Sequence, residues 1–245
     1  MADAEPTEKT YNPRMHSGGK LSFRGRQQDG DDDAGEFLVI GGDDPPPLAL
    51  LVPTGFRHVE IEIGPGKGAF VLAATEAKPD TFVLGIEAAP AYASLAATKL
   101  RKSGRDNGRF LVDNGKLFLT DRVDDAALDA VHVYFPDPWP KRRHAGRRFF
   151  TEDVPGIVAR TLRDGGYLYV ATDNAVYAGQ IVRVLGHAED FVRDEAEERR
   201  VRALGAGHAF SPTNFERKYI EEGRVIRRYA FRRLARGGAA AEVAP

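Results

Sequence analysis

The sequence predicts an α/β fold: a mostly parallel seven-stranded sheet with helices on both faces. Three observations carry that prediction. Short runs rich in β-branched residues alternate with helical patterns from Arg57 onward. A glycine-rich turn joins one such run directly to the helix that follows it. Acidic residues stand where several of the runs stop. Strands that alternate with helices build parallel sheets covered on both sides. In such sheets ligands sit beyond the C-terminal strand ends, near the point where strand order reverses. The 245 residues are enough to bury one sizeable core without metal or disulfide staples.

The first 34 residues are polar, rich in Gly and Asp, and aperiodic, with an acidic run at 29–33. They predict disorder, and residues 1–48 together read as an N-terminal extension. Within them Lys20, Arg24 and Arg26 surround Phe23, either as an arm for RNA or as a solvated tail. A short strand is expected at 37–40, ended by the triple proline at 45–47.

The main domain is expected over 49–234. Val59-Glu60-Ile61-Glu62-Ile63 alternates apolar and acidic residues, the period of a strand. Gly64-Pro65-Gly66-Lys67-Gly68 follows, then a small-residue helix over 69–77. A second strand over 82–86 ends at Glu87. The helix expected over 90–102 places Tyr92, Leu95, Ala96 and Leu100 on one face. Further strands are expected at 109–112, 130–135 and 167–172. Helices fit 149–162 and 176–185, the latter entered from a cap at Asp173 or Asn174. The stretches 188–192 and 225–234 read as two antiparallel strands with a long insertion between them. An Ala/Gly-rich tail, expected to be disordered, closes the chain from residue 235.

Composition narrows the chemistry. The chain has no cysteine, which excludes disulfides, Cys-ligated zinc, iron–sulfur clusters and thiol catalysis. No metal site is expected. No apolar run approaches the length of a membrane span, and the acidic, polar start does not read as a signal peptide, so a cytoplasmic location is expected. The net charge of −1 conceals a net −5 over residues 1–48 and +4 over the rest.

Gly64, Gly66 and Gly68 lie where the backbone must turn tightly and approach a ligand closely. The same span matches G-x-G-x-x-A, so a dinucleotide remains an alternative ligand. It is not a phosphate-binding Walker loop, because Gly68 follows Lys67 where Ser or Thr is required. Glu87, nineteen residues after Gly68, suits the two hydroxyls of a ribose, whichever adenosine cofactor carries them. Glu62, just before the glycine turn, suits a cationic ligand better than a dinucleotide. Asp113 and Asn114 end the third strand of the main domain, where either can meet the amino edge of adenine.

The next strand ends in Phe135-Pro136-Asp137-Pro138-Trp139-Pro140-Lys141-Arg142-Arg143-His144. Its prolines force a rigid extended path that holds Asp137 beside the only tryptophan. A carboxylate accepts from guanine N1–H and N2–H₂, and an aromatic face suits an unpaired base. Lys141, Arg142, Arg143, Arg147 and Arg148 put five positive charges within eight residues, a pattern that fits phosphate. Residues 213–236 carry a further net +5, readable as a second wall of an RNA groove or as a solvated edge.

The string FPDPWPKRRH resembles the signature of the bacterial tRNA (guanine-N7)-methyltransferases. The resemblance extends over about 70% of the chain, through EIGPGKG, the strand-ending Glu87, Ala171-Thr172-Asp173-Asn174, and Thr213-Asn214-Phe215-Glu216. It implies a Rossmann-like class I methyltransferase fold, S-adenosyl-L-methionine as cofactor, and tRNA as partner, methylated at N7 of the variable-loop guanosine at position 46. It also implies that Glu62, Glu87, Asn114 and Asp137 line the cofactor site with the three glycines, and that Lys141, Asp173, Thr213 and Glu216 meet the substrate. Three departures stand out: Asp113-Asn114 where Asp-Ala is usual, Ala145-Gly146 after His144 where a more basic pair is common, and the long acidic extension. Two other readings are kept: a nicotinamide-dependent oxidoreductase, and a non-catalytic RNA-binding module on this scaffold. Methylation of another RNA or of a protein also remains open at this stage.

Overall fold

The computed structural model describes residues 35–139, 141–204, 207–209 and 219–237. The basic arm around Phe23 and the Thr213 to Glu216 element lie outside them. The sheet has eight strands, one more than expected. They are β1 (Leu38–Ile40), β2 (His58–Ile63), β3 (Thr81–Glu87), β4 (Gly108–Val112), β5 (Leu128–Tyr134), β6 (Leu162–Thr172), β7 (Phe191–Arg193) and β8 (Arg227–Arg233). Their order is β1-β4-β3-β2-β5-β6-β8-β7. The first six in that row run parallel, while β8 is antiparallel to both β6 and β7. Strand order therefore reverses between β2 and β5, which opens a crevice beyond their C-terminal ends. The sheet is thus mostly parallel, as expected, with one antiparallel strand set between its last two strands.

The extra strand corrects two expectations. β1 pairs with β4 from Leu38 opposite Phe110 to Ile40 opposite Val112, so the sheet begins well before residue 49. The triple proline leads straight into a short helix, α1 (Leu48–Leu51), whose Leu48 and Leu51 are buried. The short strand expected at 37–40 is present as Leu38–Ile40, and its pairing with β4 places it in the sheet and not in a separate extension.

Two layers of helices cover the sheet. α2 (Ala69–Ala77) and α3 (Pro90–Lys102) pack on one face through Phe70, Val71, Ala74, Ala96, Ala97 and Leu100. The other face holds α1, α4 (Gly115–Asp121), α5 (Val154–Thr161) and α6 (Ala175–Gly186), with Phe118, Val158, Tyr177 and Ile181 in its core. The buried face of α3 is Ala93, Ala96, Ala97 and Leu100; Tyr92 and Leu95 are exposed, one position out of phase with the expected face. Ala96 takes that face because α3 lies close against Gly68, where there is no room for a larger residue.

Several elements differ from expectation. α4 was not expected and is nucleated by Asn114, whose side chain accepts from the Lys116 and Leu117 amides. The insertion between β7 and β8 contains α7 (Glu195–Ala203), capped by Asp194. Near the end of the chain Arg236 is firmly tied: it pairs with Asp164 and donates to the Ala159, Arg160 and Leu162 carbonyls. Order thus continues past residue 235. Among the described residues no helix is long and apolar enough to cross a membrane.

Candidate functional site

The crevice is built from strand ends. β2 ends at Glu62 and Ile63, and the chain turns through Gly64 (φ 71°), Gly66 (φ 55°) and Gly68 (φ 77°) into α2. All three angles lie in the left-handed region, which is costly for residues with a Cβ. Gly68 is constrained further, because a Cβ there would lie 2.8 Å from both Ala96 Cβ and Phe110 Cζ. Glu87 clamps the turn: one carboxylate oxygen accepts from the Gly66 amide and the other from the Ala89 amide, each at 2.9 Å.

Two glutamates two residues apart on β2 share a face of the sheet and meet opposite surroundings. Glu60 bonds His132 Nε2 at 3.0 Å and pairs with Lys78. Burial alone would raise its pKa, but the hydrogen bonds and charges of His132 and Lys78 outweigh burial and bring it down to about 2. Glu62 is 2% exposed, and its Oε2 has no hydrogen-bond partner. Burial, reinforced by the neighbouring charge of Glu87, pushes its pKa up to about 8. A buried carboxyl oxygen left unpartnered at a strand end is costly for folding. A cationic ligand would satisfy it.

Further acids converge on the same crevice. Glu87 is raised by burial and also feels Asp137. Asp137 is raised by burial although its side chain reaches solvent. Asp113 follows β4, with its Oδ1 accepting the Asn114 amide at 2.6 Å; burial raises it too. The Asn114 oxygen is committed to capping α4, whereas Asp113 keeps its Oδ2 on the side of Gly41.

The segment after β5 is strained and clamped. Phe135 (φ 50°) and Trp139 (φ 37°) both have positive φ, and the Phe135 amide donates to Ala171 O at 2.8 Å. Such strain persists only where surrounding contacts over-determine the backbone. Here the clamp is Arg148, which donates to the Pro138 carbonyl at 2.8 Å and the Trp139 carbonyl at 2.9 Å and also bonds Gln180. Arg148 is therefore structural and not one of five free charges. Arg147 lies 5.0 Å over the Trp139 ring, and His144 meets the same ring edge-on at 5.6 Å. One face of the tryptophan is thus already covered. The basic residues themselves form a 3₁₀ helix over Arg142–Arg147, with Lys141 and Arg143 exposed at its start.

Asp173, just after β6, accepts from Arg224 at 2.8 Å. Arg224 stacks 4.2 Å over Tyr219, and Tyr219 meets Phe135 edge-on at 5.4 Å. The pKa of Tyr219 is raised by burial and by Asp173 and Asp137. No local sequence pattern marks Tyr219 or Arg224; their contacts span 51 residues to Asp173 and 84 to Phe135. The structure thus gathers Glu62, the glycine turn, Glu87, Asp113, Asp137 and Asp173 on one rim, with Lys141 and Arg143 on the adjoining loop.

A family model described as "Putative methyltransferase" matches residues 57–229. The tRNA (guanine-N(7)-)-methyltransferase of Nitrosomonas europaea is 34% identical over 177 residues, covering 71% of this chain and 76% of that protein. The enzyme of that name from Acidithiobacillus ferrooxidans is 33% identical over 184 residues, covering 73% of this chain and 77% of its own length. That from Rhodopirellula baltica reaches 44% over 122 residues, 48% of this chain and 45% of the other. The family model runs from just before β2 into β8, the first two of these relatives match over more than two thirds of the chain, and the chain belongs to the tRNA (guanine-N(7)-)-methyltransferase family.

Proposed function

We infer that this chain transfers the methyl group of S-adenosyl-L-methionine to N7 of a guanosine in tRNA, at position 46 in the variable loop. Family membership supports the activity. The observation on the chain itself that favours this cofactor is Glu62, a buried carboxyl at the end of β2 with one oxygen unpartnered and Glu87 as its charged neighbour. A rim of carboxylates suits a ligand carrying an ammonium and a sulfonium, and it opposes the pyrophosphate of a dinucleotide. The oxidoreductase alternative fails on that charge.

When bound, the cofactor supplies an electrophilic methyl on a sulfonium. The residues proposed to hold it are Glu62 at the amino acid end, Gly64, Gly66 and Gly68 along the turn, Glu87 at the ribose and Asp113 at adenine. Guanine N7 has an in-plane lone pair and no proton to lose, so the protein need only align and desolvate it. Asp137 is proposed to accept from guanine N1–H and N2–H₂ and to offset the positive charge that develops on the ring. The Arg148 clamp keeps its loop fixed through that change. Asp173, with Thr213 and Glu216, is assigned to the substrate side, and Lys141, Arg142 and Arg143 to the tRNA backbone.

The test is transfer from labelled S-adenosyl-L-methionine to unmodified tRNA transcripts, with the variable-loop guanosine replaced in a parallel sample. Label in the first and none in the second is expected. Label in both would move the target base, and label in neither would favour the non-catalytic RNA-binding reading. Asp137→Ala should lose transfer far more than cofactor affinity; near-normal turnover would remove Asp137 from its role.

A further inference from the structure

The edge strand β1 lies outside the region matched by the family model, which begins at residue 57. Its position gives it a part in the site. We propose that β1 and the turn after it form the outer wall of the adenine subsite, and that Gly41 is a positioning residue for the Asp113 carboxylate. The proposal rests on the cofactor assigned above.

β1 runs parallel to β4 with Ile40 opposite Val112, so the two chains leave the sheet side by side at its ligand-binding edge. The Gly41 amide donates to Val112 O at 3.1 Å. A Cβ at position 41 would lie 2.9 Å from that carbonyl oxygen and 3.2 Å from both Cγ and Oδ2 of Asp113. The carbonyl belongs to a hydrogen-bonded strand and cannot retreat without opening the sheet edge. Rotation of the carboxylate relieves only the 3.2 Å contacts, so a side chain at 41 would displace Asp113 and also press on the β1–β4 edge. Its Oδ1 already accepts the Asn114 amide, and Oδ2 on the Gly41 side is the atom left to receive the exocyclic amine of adenine.

The turn is held independently of Gly41. Asp44 pairs with Arg122 at the end of α4, and the Arg122 carbonyl accepts the Leu48 amide at 2.8 Å. The same Arg122 charge favours the ionised form of Asp113 against the effect of burial. Arg122 thus holds the wall by contact and acts on the carboxylate through its charge.

Calorimetry on the full-length chain tests this, using S-adenosylhomocysteine and its inosine analogue, in which a carbonyl replaces the 6-amino group. The wild type should prefer the adenosine form. Gly41→Ala should lose about tenfold in affinity for it, as expected when a hydrogen bond to a charged group is misplaced, and little for the inosine form. The loss should fall on KM for S-adenosyl-L-methionine and not on kcat. Asp44→Asn, which frees the turn without adding bulk, should give a loss of a few-fold in the same direction. An undiminished preference in a folded Gly41→Ala protein overturns the proposal; if that variant does not fold, an undiminished preference in Asp44→Asn does so. Failure of the wild type to bind S-adenosylhomocysteine would instead overturn the cofactor assignment, and this proposal with it.

Discussion

Glu60 and Glu62 occupy equivalent places in the alternation of β2, yet one is held near pKa 2 and the other near 8. The difference is partners: Glu60 has Lys78 and His132, whereas Glu62 has burial and a second carboxylate against a single backbone hydrogen bond from Val71. The raised group means that the folded chain holds the Glu62 proton more tightly than the unfolded chain does. The stability it contributes without ligand is full below pH 4.5 and is lost as pH rises to about 8. A cationic ligand favours the ionised form, so stabilisation by S-adenosylhomocysteine, whose ammonium survives methyl transfer, should grow over the same range. Thermal unfolding from pH 6 to 8.5, with and without that ligand, measures this. Glu62→Gln should flatten both trends; a variant with wild-type pH dependence would place the titration elsewhere. Glu60, shifted the other way, contributes stability that is present above pH 4.5 and lost as pH falls toward 2.

At the scale of elements, caps and turns decide what periodicity leaves open. The length of α4 was invisible to hydrophobic patterning, yet one asparagine cap organises its start. Asn114→Ala should cost about 1 kcal/mol of stability, read by denaturant unfolding. The glycine turn joins two constraints, positive φ and close helix packing. Gly68→Ala should destabilise by about 2 kcal/mol, because it adds a crowded methyl to a left-handed backbone. Gly64, with open space around it, should show a smaller effect on stability and its main effect on cofactor affinity. In the loop after β5 the prolines foretold rigidity correctly, but the residue that enforces it is Arg148. Arg148→Ala should release the strained Phe135 to Trp139 path and reduce transfer more than cofactor binding; equal losses in both would show the clamp acting on the whole domain.

At the scale of the molecule, charge is arranged more than it is accumulated. Of the basic run, Arg148 is spent on backbone carbonyls and Arg147 on the Trp139 ring, while Lys141 and Arg143 stay exposed. Neutralising either exposed residue should flatten the salt dependence of tRNA binding by about one unit of slope or slightly less. An unchanged slope in both variants would make the loop structural. On the far side Arg224 and Arg227 engage Asp173 through its carboxylate and its carbonyl, so part of the net positive C-terminal span braces the rim. Removing residues 1–48 should strip β1 from β4 and expose that edge, lowering the melting temperature and promoting association.

The alternation of strands with helices, the glycine turn, the strand-ending acids and the proline-rich loop were all legible in the sequence, because each is a local pattern set by backbone stereochemistry over a few residues. Strand bounds from β2 to β5 were read to within two residues for the same reason. The pairing of edge strand β1 with β4, the residues that clamp the loop, the use of Asn114 as a helix cap and the opposed states of two matching glutamates were decided only by tertiary structure. Each depends on which groups meet across the sheet: Glu60 and His132 lie 72 residues apart, and Arg224 and Asp173 lie 51 apart. Burial and partnership at those distances set charge and orientation, and no run of neighbouring residues encodes them.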